Sequence, residues 1–513
     1  MSVSLLLLAL NVGCVGRSPA PTTPELHRVK LLITSDVHGW LSPFNPRKTN
    51  DLLGGLGELA TAWKVREGYD LDLLAQQRPR PFLILDAGDM WTGTPESTLA
   101  EGRPVIDVFN LMGYDGAALG NHEFDFGIEI LRRNAGLARF PLLSSNVRAR
   151  EGGTEVNFCK PSMLVDAQGL KVGVIGLSTL ETPQTTFSKY VAGLEFINYE
   201  PQVRAQARLL MQQGAQVLVV LAHEPVPRLK PTAEAITDLP IRVWIGGHSH
   251  RRELEVLERD PLTDADDVIL LNPGAHARAY GRIDLLFDRQ NLLMHNAEIV
   301  PLESKTDAPL YAPHPGVAAV VKSATQAVEA RMGEKVGEVA ELIPVGNLDR
   351  SPVGELVADS WLEMFPQAQL SVTNLGGLRQ NLEPGPVTLR DIFNLLPFAN
   401  DIVMVHLTAA QLREALSDTS TILGGGRMVV RYEGERRVVT RIELPDGTPL
   451  DEQQTYGVLT TDYLYAGGNN LPFKRMDPSP VLLGVNWREP VIEHFRKLQQ
   501  PRQAPPPRRV RRE

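Results

Sequence analysis

The chain has 513 residues, 43% hydrophobic and 22% charged, with a formal net charge of −9. That length exceeds one hydrophobic core and fits two or three domains, while the acidic balance gives no bulk reason to bind nucleic acid, so phosphate recognition has to be local. Only two cysteines occur, Cys14 and Cys159, which excludes a disulfide framework and leaves Cys159 to read as a small core hydrophobe.

In chain order, Val3 to Val12 is almost wholly apolar. A run of about ten residues is too short to span a bilayer and has the length of a signal-peptide core. Leu10-Asn11-Val12-Gly13-Cys14 resembles a bacterial lipobox, in which the cysteine is lipidated after cleavage, and the Pro/Ser/Thr-containing stretch to Pro24 reads as a tether. Residues 1–23 are therefore expected to be a signal peptide and tether. The mature protein is expected in the periplasm or at the cell surface, meeting a membrane only through lipid on Cys14.

From Val29 to about Pro301, short runs rich in Val, Ile and Leu alternate with helix-like stretches such as Gly57 to Glu67 and Pro201 to Gln213, an α/β pattern. Leu31 to Thr34, Pro81 to Leu85, Ala117 to Leu119, Val217 to Ala222 and Val243 to Ile245 lack polar alternation and read as buried strands. A Pro-rich stretch follows, and Val317 to Met332 reads as one amphipathic connector helix with Glu329 and Arg331 on its wet side. These signals divide the chain into a first domain at 24–312, a linker helix at 313–332 and a second domain at 333–498. The second domain has predicted helices at Ser351 to Met364 and Thr408 to Ser417, and strands at Ile402 to Leu407, Met428 to Tyr432 and Arg437 to Leu444. The Pro/Arg-rich tail at 499–513 is expected to be disordered, because it cannot bury apolar surface.

Five of the eleven histidines, His38, His122, His223, His248 and His250, lie just after or at the end of a predicted buried strand of the first domain. In open α/β sheets ligands bind outside the carboxyl ends of the strands, where separated loops converge. The loops that would pool there are Asp36-Val37-His38-Gly39, Gly88-Asp89, Gly120-Asn121-His122-Glu123, His223 and Gly246-Gly247-His248-Ser249-His250. Three oxygen donors and four or five imidazoles exceed what one metal needs. Two divalent ions sharing a carboxylate would use them all, and imidazole with carboxylate suits Mn, Fe, Co or Zn better than Ca or Mg.

These blocks resemble the calcineurin-like metallophosphoesterases, and Gly120-Asn121-His122-Glu123-Phe124-Asp125-Phe126-Gly127 resembles the 5′-nucleotidase branch of that family. The resemblance implies a four-layer α/β/β/α sandwich, joined by a helix to a second α/β (α+β) substrate-binding domain. It implies two divalent ions, one on Asp36, His38, Asp89 and His250, the other on Asp89, Asn121, His223 and His248. Asp89 would be the bridge. It further implies that Asp125 orients His122, whose imidazole stabilises or protonates the leaving oxygen while a water activated by the ions attacks phosphorus.

In the second domain, Thr373-Asn374-Leu375-Gly376-Gly377-Leu378-Arg379 and Leu396-Pro397-Phe398-Ala399-Asn400 resemble the nucleotide-gripping domain of the same family. By position, Asn374 and Arg379 would contact substrate and Phe398 would form one face of an aromatic clamp for a base. Tyr463 to Leu471 departs from the family segment, with Leu471 where a second stacking ring is expected. Phe473 is the substitute to consider, and Asp477 falls near the position of a ribose-binding acid. The expected activity is hydrolysis of small-molecule phosphoesters, 5′-nucleotides foremost. The alternatives are a thiosulfate-ester hydrolase on the same scaffold and a surface lipoprotein that binds metal or ligand without turnover.

Overall fold

The structure, a computed structural model, describes residues 26–43, 52–151, 153, 156–186, 188–259, 266–288, 291–304, 309–398, 400–417, 419–434, 436–505 and 510–512. The signal peptide and tether read at 1–23, with Cys14, lie outside the described residues. Among the described residues no helix is long and apolar enough to cross a membrane.

Two six-stranded sheets build the first half. One runs, edge to edge, through Asn291–Pro301, Ala279–Asp288, Leu26–Thr34, Phe82–Asp86, Gly116–Ala118 and Leu142–Leu143. The other runs through Arg252–Leu257, Val268–Pro273, Ile241–Ile245, Val217–His223, Leu170–Ser178 and Ser162–Ala167. Leu26–Thr34, Phe82–Asp86, Gly116–Ala118 and Leu142–Leu143 pair in parallel, as do Val268–Pro273, Ile241–Ile245, Val217–His223 and Leu170–Ser178, with antiparallel strands at the flanks.

Side-chain alternation along these strands sorts the interior into layers. Val29, Leu31 and Ile33 from one sheet meet Val219, Leu221, Val243 and Ile245 from the other in the central core. Leu32 and Ile84 turn outward under helices Leu56–Ala62 and Arg103–Met112. On the far side Leu218, Val220 and Trp244 pack beneath helices Tyr199–Gln212 and Val226–Ala235. The result is the helix, sheet, sheet, helix sandwich that the resemblance implies. Both faces of each parallel core are covered, so its strands carry no polar alternation. Cys159 is partly buried against the first helical layer, its Sγ 3.8 Å from the carbonyl of Ser144.

Helix Pro315–Met332 leads into the second half, with Glu329 and Arg331 exposed. There a five-stranded sheet has the order Thr421–Gly424, Leu370–Asn374, Thr455–Thr461, Asp401–Thr408, Val481–Asn486. Helices Pro352–Met364 and Arg488–Lys497 cover one face through Trp361, Val357, Val491 and Phe495. Helix Ala409–Leu416 and a small three-stranded sheet cover the other.

The expectation of a disordered tail at 499–513 is corrected for its described residues, 499–505 and 510–512. Arg502 N donates to Glu338 O at 2.8 Å and its carbonyl accepts from Ala340 N at 2.8 Å, while Val510–Arg512 pairs in parallel with Arg427–Glu433. Poverty in apolar residues decides whether a segment builds its own core. It does not prevent a backbone from docking on sheet edges whose N–H and C=O groups lack partners, and Val510 adds a contact to the core beneath.

Candidate active site

Asp36 and His38 follow strand Leu26–Thr34, Asp89 follows Phe82–Asp86, Asn121 follows Gly116–Ala118, His223 ends Val217–His223, and His248 and His250 follow Ile241–Ile245. Folding brings these strand ends to one edge of the stacked sheets. Asp36, His38 and His250 form one group whose donor atoms all lie within 4.8 Å of one another, and Asp89, His223 and His248 form a second. Asp89 Oδ2 joins them, 3.0 Å from His223 Nε2 and 3.8 Å from His38 Nε2. Asn121 Oδ1 stands 3.2 Å from His223 Nε2.

The local backbone is unusual where these side chains originate. Asp36, His38, Asp89, His248 and His250 all have positive φ, between 50° and 67°. L-residues occupy that region at a cost of about 1–3 kcal/mol when strained, and it persists only where surrounding structure enforces it, typically at functional sites. The loops also approach too closely for side chains at some points: a Cβ on Gly120 would lie 2.1 Å from Asp89 Oδ1. Glu123, which the motif contains but sequence reasoning gave no role, ties the loops together. Its buried carboxyl accepts from the backbone N–H groups of Asp89 at 2.9 Å, Met90 at 2.8 Å and Gly120 at 2.7 Å.

The donor set fits divalent cations by its tautomers. His38 Nδ1 is 2.7 Å from the carbonyl of Thr92, and His223 Nδ1 is 2.8 Å from the carbonyl of Ala87. A carbonyl only accepts, so Nδ1 carries the proton and Nε2 of the neutral ring presents a lone pair. His38 Nε2 faces His250 Nε2 at 3.1 Å, and His223 Nε2 faces His248 Nδ1 at 3.2 Å in addition to two oxygens. Burial pushes His38 and His250 well below the ordinary imidazole value, which keeps both neutral as ligands require. Burial opposes charge on His223 too, yet Asp89, Asp36 and Glu123 outweigh it and push that ring up to about 10, so its Nε2 lone pair becomes free only when a bound cation takes the place of the second proton. The group draws positive charge to its centre, and imidazole nitrogens with carboxylate oxygens are the donors that first-row divalent metals take.

Next to the cluster, His122 Nδ1 lies 2.7 Å from Asp125 Oδ2, and the His122 N–H donates to Asp89 Oδ1 at 2.9 Å. Burial works against protonation of His122, but Asp125 and Asp89 overcome it and raise its pKa above the ordinary value. The ring stacks on Phe398 from the second half, with centroids 5.1 Å apart and planes at 17°.

A cavity of about 340 Å³ opens on this edge and is lined from both halves of the chain, by Asp89, Asn121, His122, His248 and His250 on one side and Asn374, Arg379, Phe398, Asn400, Tyr463 and Asn469 on the other. The Arg379 guanidinium lies 5.3 Å from the Phe398 centroid, and among the described residues it donates no hydrogen bond. Asn374 Nδ2 donates to Asn469 Oδ1 at 3.1 Å. The loop carrying Phe398 is clasped from behind. Trp487 Nε1 donates to the carbonyl of Phe398 at 2.8 Å, and Arg488 donates to those of Leu396 at 2.6 Å and Pro397 at 2.7 Å. Neither Trp487 nor Arg488 belongs to a motif, and only contact reveals them.

Two expectations for the substrate side, Phe473 and Asp477, are corrected. Leu471 and Phe473 are both buried in the core beneath the sheet, so neither supplies a second stacking ring. Asp477 does not line the cavity. Its carboxylate accepts from His406 N at 2.8 Å and Ser479 N at 3.0 Å, the work of a turn-forming acid. The aromatic that does reach the cavity from this segment is Tyr463.

Fold and cluster together define a two-domain metallophosphoesterase, and comparison with known proteins agrees. Residues 29–252 match the calcineurin-like phosphoesterase family and residues 335–476 the 5′-nucleotidase C-terminal domain. Protein UshA of Escherichia coli (strain K12) is 24% identical over 502 residues, covering 89% of this chain and 88% of its own. A 5′-nucleotidase of Vibrio vulnificus is 23% identical, covering 97% of this chain and 95% of its own. Among solved structures, a 5′-nucleotidase precursor from Thermus thermophilus superposes with a TM-score of 0.81 at 22% identity, covering 94% of this chain and 99% of that one. The sulfate thiohydrolase SoxB of Thermus thermophilus shares the fold, with a TM-score of 0.75 at 18% identity over 94% of this chain and 96% of that one. The chain belongs to the 5′-nucleotidase family of metal-dependent phosphoester hydrolases, with a calcineurin-like phosphoesterase domain followed by a 5′-nucleotidase C-terminal domain.

Proposed function

We propose that this chain hydrolyses 5′-nucleotides or related nucleotide esters to nucleoside and phosphate, with Asp36, His38, Asp89 and His250 holding one divalent ion and Asp89, Asn121, His223 and His248 another. The observation that carries the reading is one cavity lined on one side by members of both donor groups and the His122–Asp125 pair, and on the other by Arg379, whose guanidinium lies over Phe398 and donates no hydrogen bond among the described residues. In this reading 24–312 holds the metals, 313–332 connects, and 333–498 grips substrate. Mn, Zn, Fe and Co all suit the donors. Such ions, when bound, supply Lewis-acid activation of a water and offset charge gathering on the phosphoryl oxygens.

The chain's own residues account for the remaining steps. Arg379 receives the phosphoryl oxygens through charge-assisted hydrogen bonds. His122, with Nδ1 fixed on Asp125, has Nε2 left for the leaving oxygen: as the bond from phosphorus to that oxygen breaks, the Nε2 proton passes to it. Phe398 covers the ring of His122 and keeps water from its far face. Asn374, Asn400 and Tyr463 offer hydrogen bonds to the nucleoside end.

The test is phosphate release from AMP, UDP-glucose, a cyclic nucleotide and an aryl phosphate by protein lacking the first 23 residues, with bound metal counted in parallel. Hydrolysis of AMP with about two ions per chain is expected. No phosphate from any of the four with both ions bound would overturn the proposal and favour the thiosulfate-ester or non-catalytic alternatives. We also propose export with acylation at Cys14, which labelling of the full chain with radioactive palmitate in cells reads directly. Label that survives Cys14→Ser would refute it.

A further inference from the structure

The loop after strand Leu170–Ser178 belongs to none of the motifs above, yet three of its residues touch three different groups of the centre. Glu181 Oε2 lies 3.5 Å from His248 Nε2, the ring nitrogen opposite the Nδ1 that faces His223. The carbonyl of Thr185 is 3.1 Å from Asn121 Nδ2. Because that carbonyl only accepts, it turns the amide so that Asn121 Oδ1 faces the cluster. Thr186 Oγ1 donates at 2.8 Å to Asp125 Oδ1, on the same carboxylate that holds His122.

Glu181 is itself braced. Its Oε1 is 2.7 Å from Arg228 Nη2, and Arg228 Nη1 reaches Glu224 at 3.3 Å, the residue next to His223. The loop has an internal frame as well. Leu180 N donates to Tyr199 OH at 3.1 Å, and fully buried Thr182 donates through Oγ1 to the carbonyl of Thr179 at 2.8 Å. A carboxylate on the outward nitrogen of an imidazole fixes ring orientation and tautomer together. It accepts the Nε2 proton and so leaves Nδ1 as the lone-pair nitrogen.

We infer that Glu181 is a positioning residue of the second metal group, holding the His248 ring through Nε2 so that Nδ1 is directed at the ion, with Arg228 fixing Glu181 in turn. The inference rests on His248 serving as a ligand and goes beyond the hydrolytic reading. Thr185 and Thr186 make the same segment a shared support for Asn121 and Asp125, which explains why a stretch with no ligand of its own is built so firmly against the cluster.

Calorimetric titration of the metal-free chain with Mn²⁺, repeated with Zn²⁺, reads each affinity with no substrate present. Glu181→Ala is expected to weaken one of two ions about 10–100-fold and to leave the other nearly unchanged. Glu181→Gln, which keeps an acceptor oxygen, recovers most of that loss, and Arg228→Met weakens the same ion to a smaller degree. The melting temperature of the metal-free Glu181→Ala protein stays at that of the unaltered chain, as a role confined to metal positioning requires. Three results would overturn the inference: both affinities unchanged in Glu181→Ala, both weakened together with a lower metal-free melting temperature, or an unaltered chain that takes up fewer than two ions. A chain that binds two ions and shows the expected Glu181→Ala loss, but releases no phosphate from nucleotides, would overturn the hydrolytic reading alone.

Discussion

On the metal side of the cavity every proposed ligand sits at or within a few residues of the end of a strand in two stacked sheets. On the substrate side Asn374 ends a strand, whereas Arg379 and Phe398 come from connecting segments and Tyr463 and Asn469 from single-turn helices. The first arrangement is held from below by buried strands and from within by Glu123, and it tolerates left-handed backbone at five positions. The second is held from behind, by Trp487 and Arg488 clasping carbonyls of the Phe398 loop. Metal coordination needs donors placed to a few tenths of an ångström, and strand ends over a packed core supply that precision. Recognition of an organic leaving group needs shape and a few hydrogen bonds, which loops supply and in which residues can change. The departure from family pattern at Leu471 falls in the half of the chain that supplies that second side.

The sharpest way to break this contrast is Asp89→Asn, which removes charge from the one carboxylate common to both groups. Loss of bound metal and of nearly all activity is expected, read by elemental analysis beside phosphate release; a variant that keeps two ions would remove Asp89 from the bridge. Next in size, His122→Ala should keep its metal and lose about 10²–10⁴-fold in kcat, the usual worth of a positioned acid or base. If metal and rate fall together, the division between ligands and the His122–Asp125 pair fails. Third, Arg379→Ala should raise KM by about 10–100-fold, the scale of lost charge-assisted hydrogen bonds. Because Arg379 shares the cavity lining with Asp89, His122, His248 and His250 and is assigned here to the phosphoryl oxygens, AMP and an aryl phosphate should suffer alike. A rise confined to AMP would move it to the nucleoside. Smallest, Leu471→Phe should leave KM unchanged and cost about 1–3 kcal/mol of stability by overpacking a buried site, measured by denaturant titration. A lower KM for AMP would put position 471 back in the base clamp.

The metal side was legible because its signals are local and repeated. An apolar run ending in Gly and His or Asp needs only the rule that strand ends converge, and five such runs leave little freedom in what they build. Glu123 sat in plain view within Asn-His-Glu, but nothing in one dimension says that a carboxylate will collect three backbone N–H groups, two from another loop and one from its own. Glu181, Thr185 and Thr186 were invisible for the same reason: two of the bonds they make use a backbone carbonyl or a hydroxyl, which any sequence offers in abundance. The tail failed in the opposite direction, since its composition was read correctly while its backbone found sheet edges that composition does not describe.

By itself, then, the sequence determined the α/β pattern and the pool of candidate donors at the strand ends, because burial on both faces of a parallel strand and the chemistry of its last residues are written in consecutive positions; the layer order came from the family resemblance. Only the tertiary structure decided which ring stacks on His122, where Leu471 and Asp477 point, and which carboxylate lies against His248. Those outcomes depend on distances between segments from about 70 to nearly 280 residues apart, and such distances are set by packing and hydrogen-bond satisfaction across the whole fold rather than by neighbours in the chain.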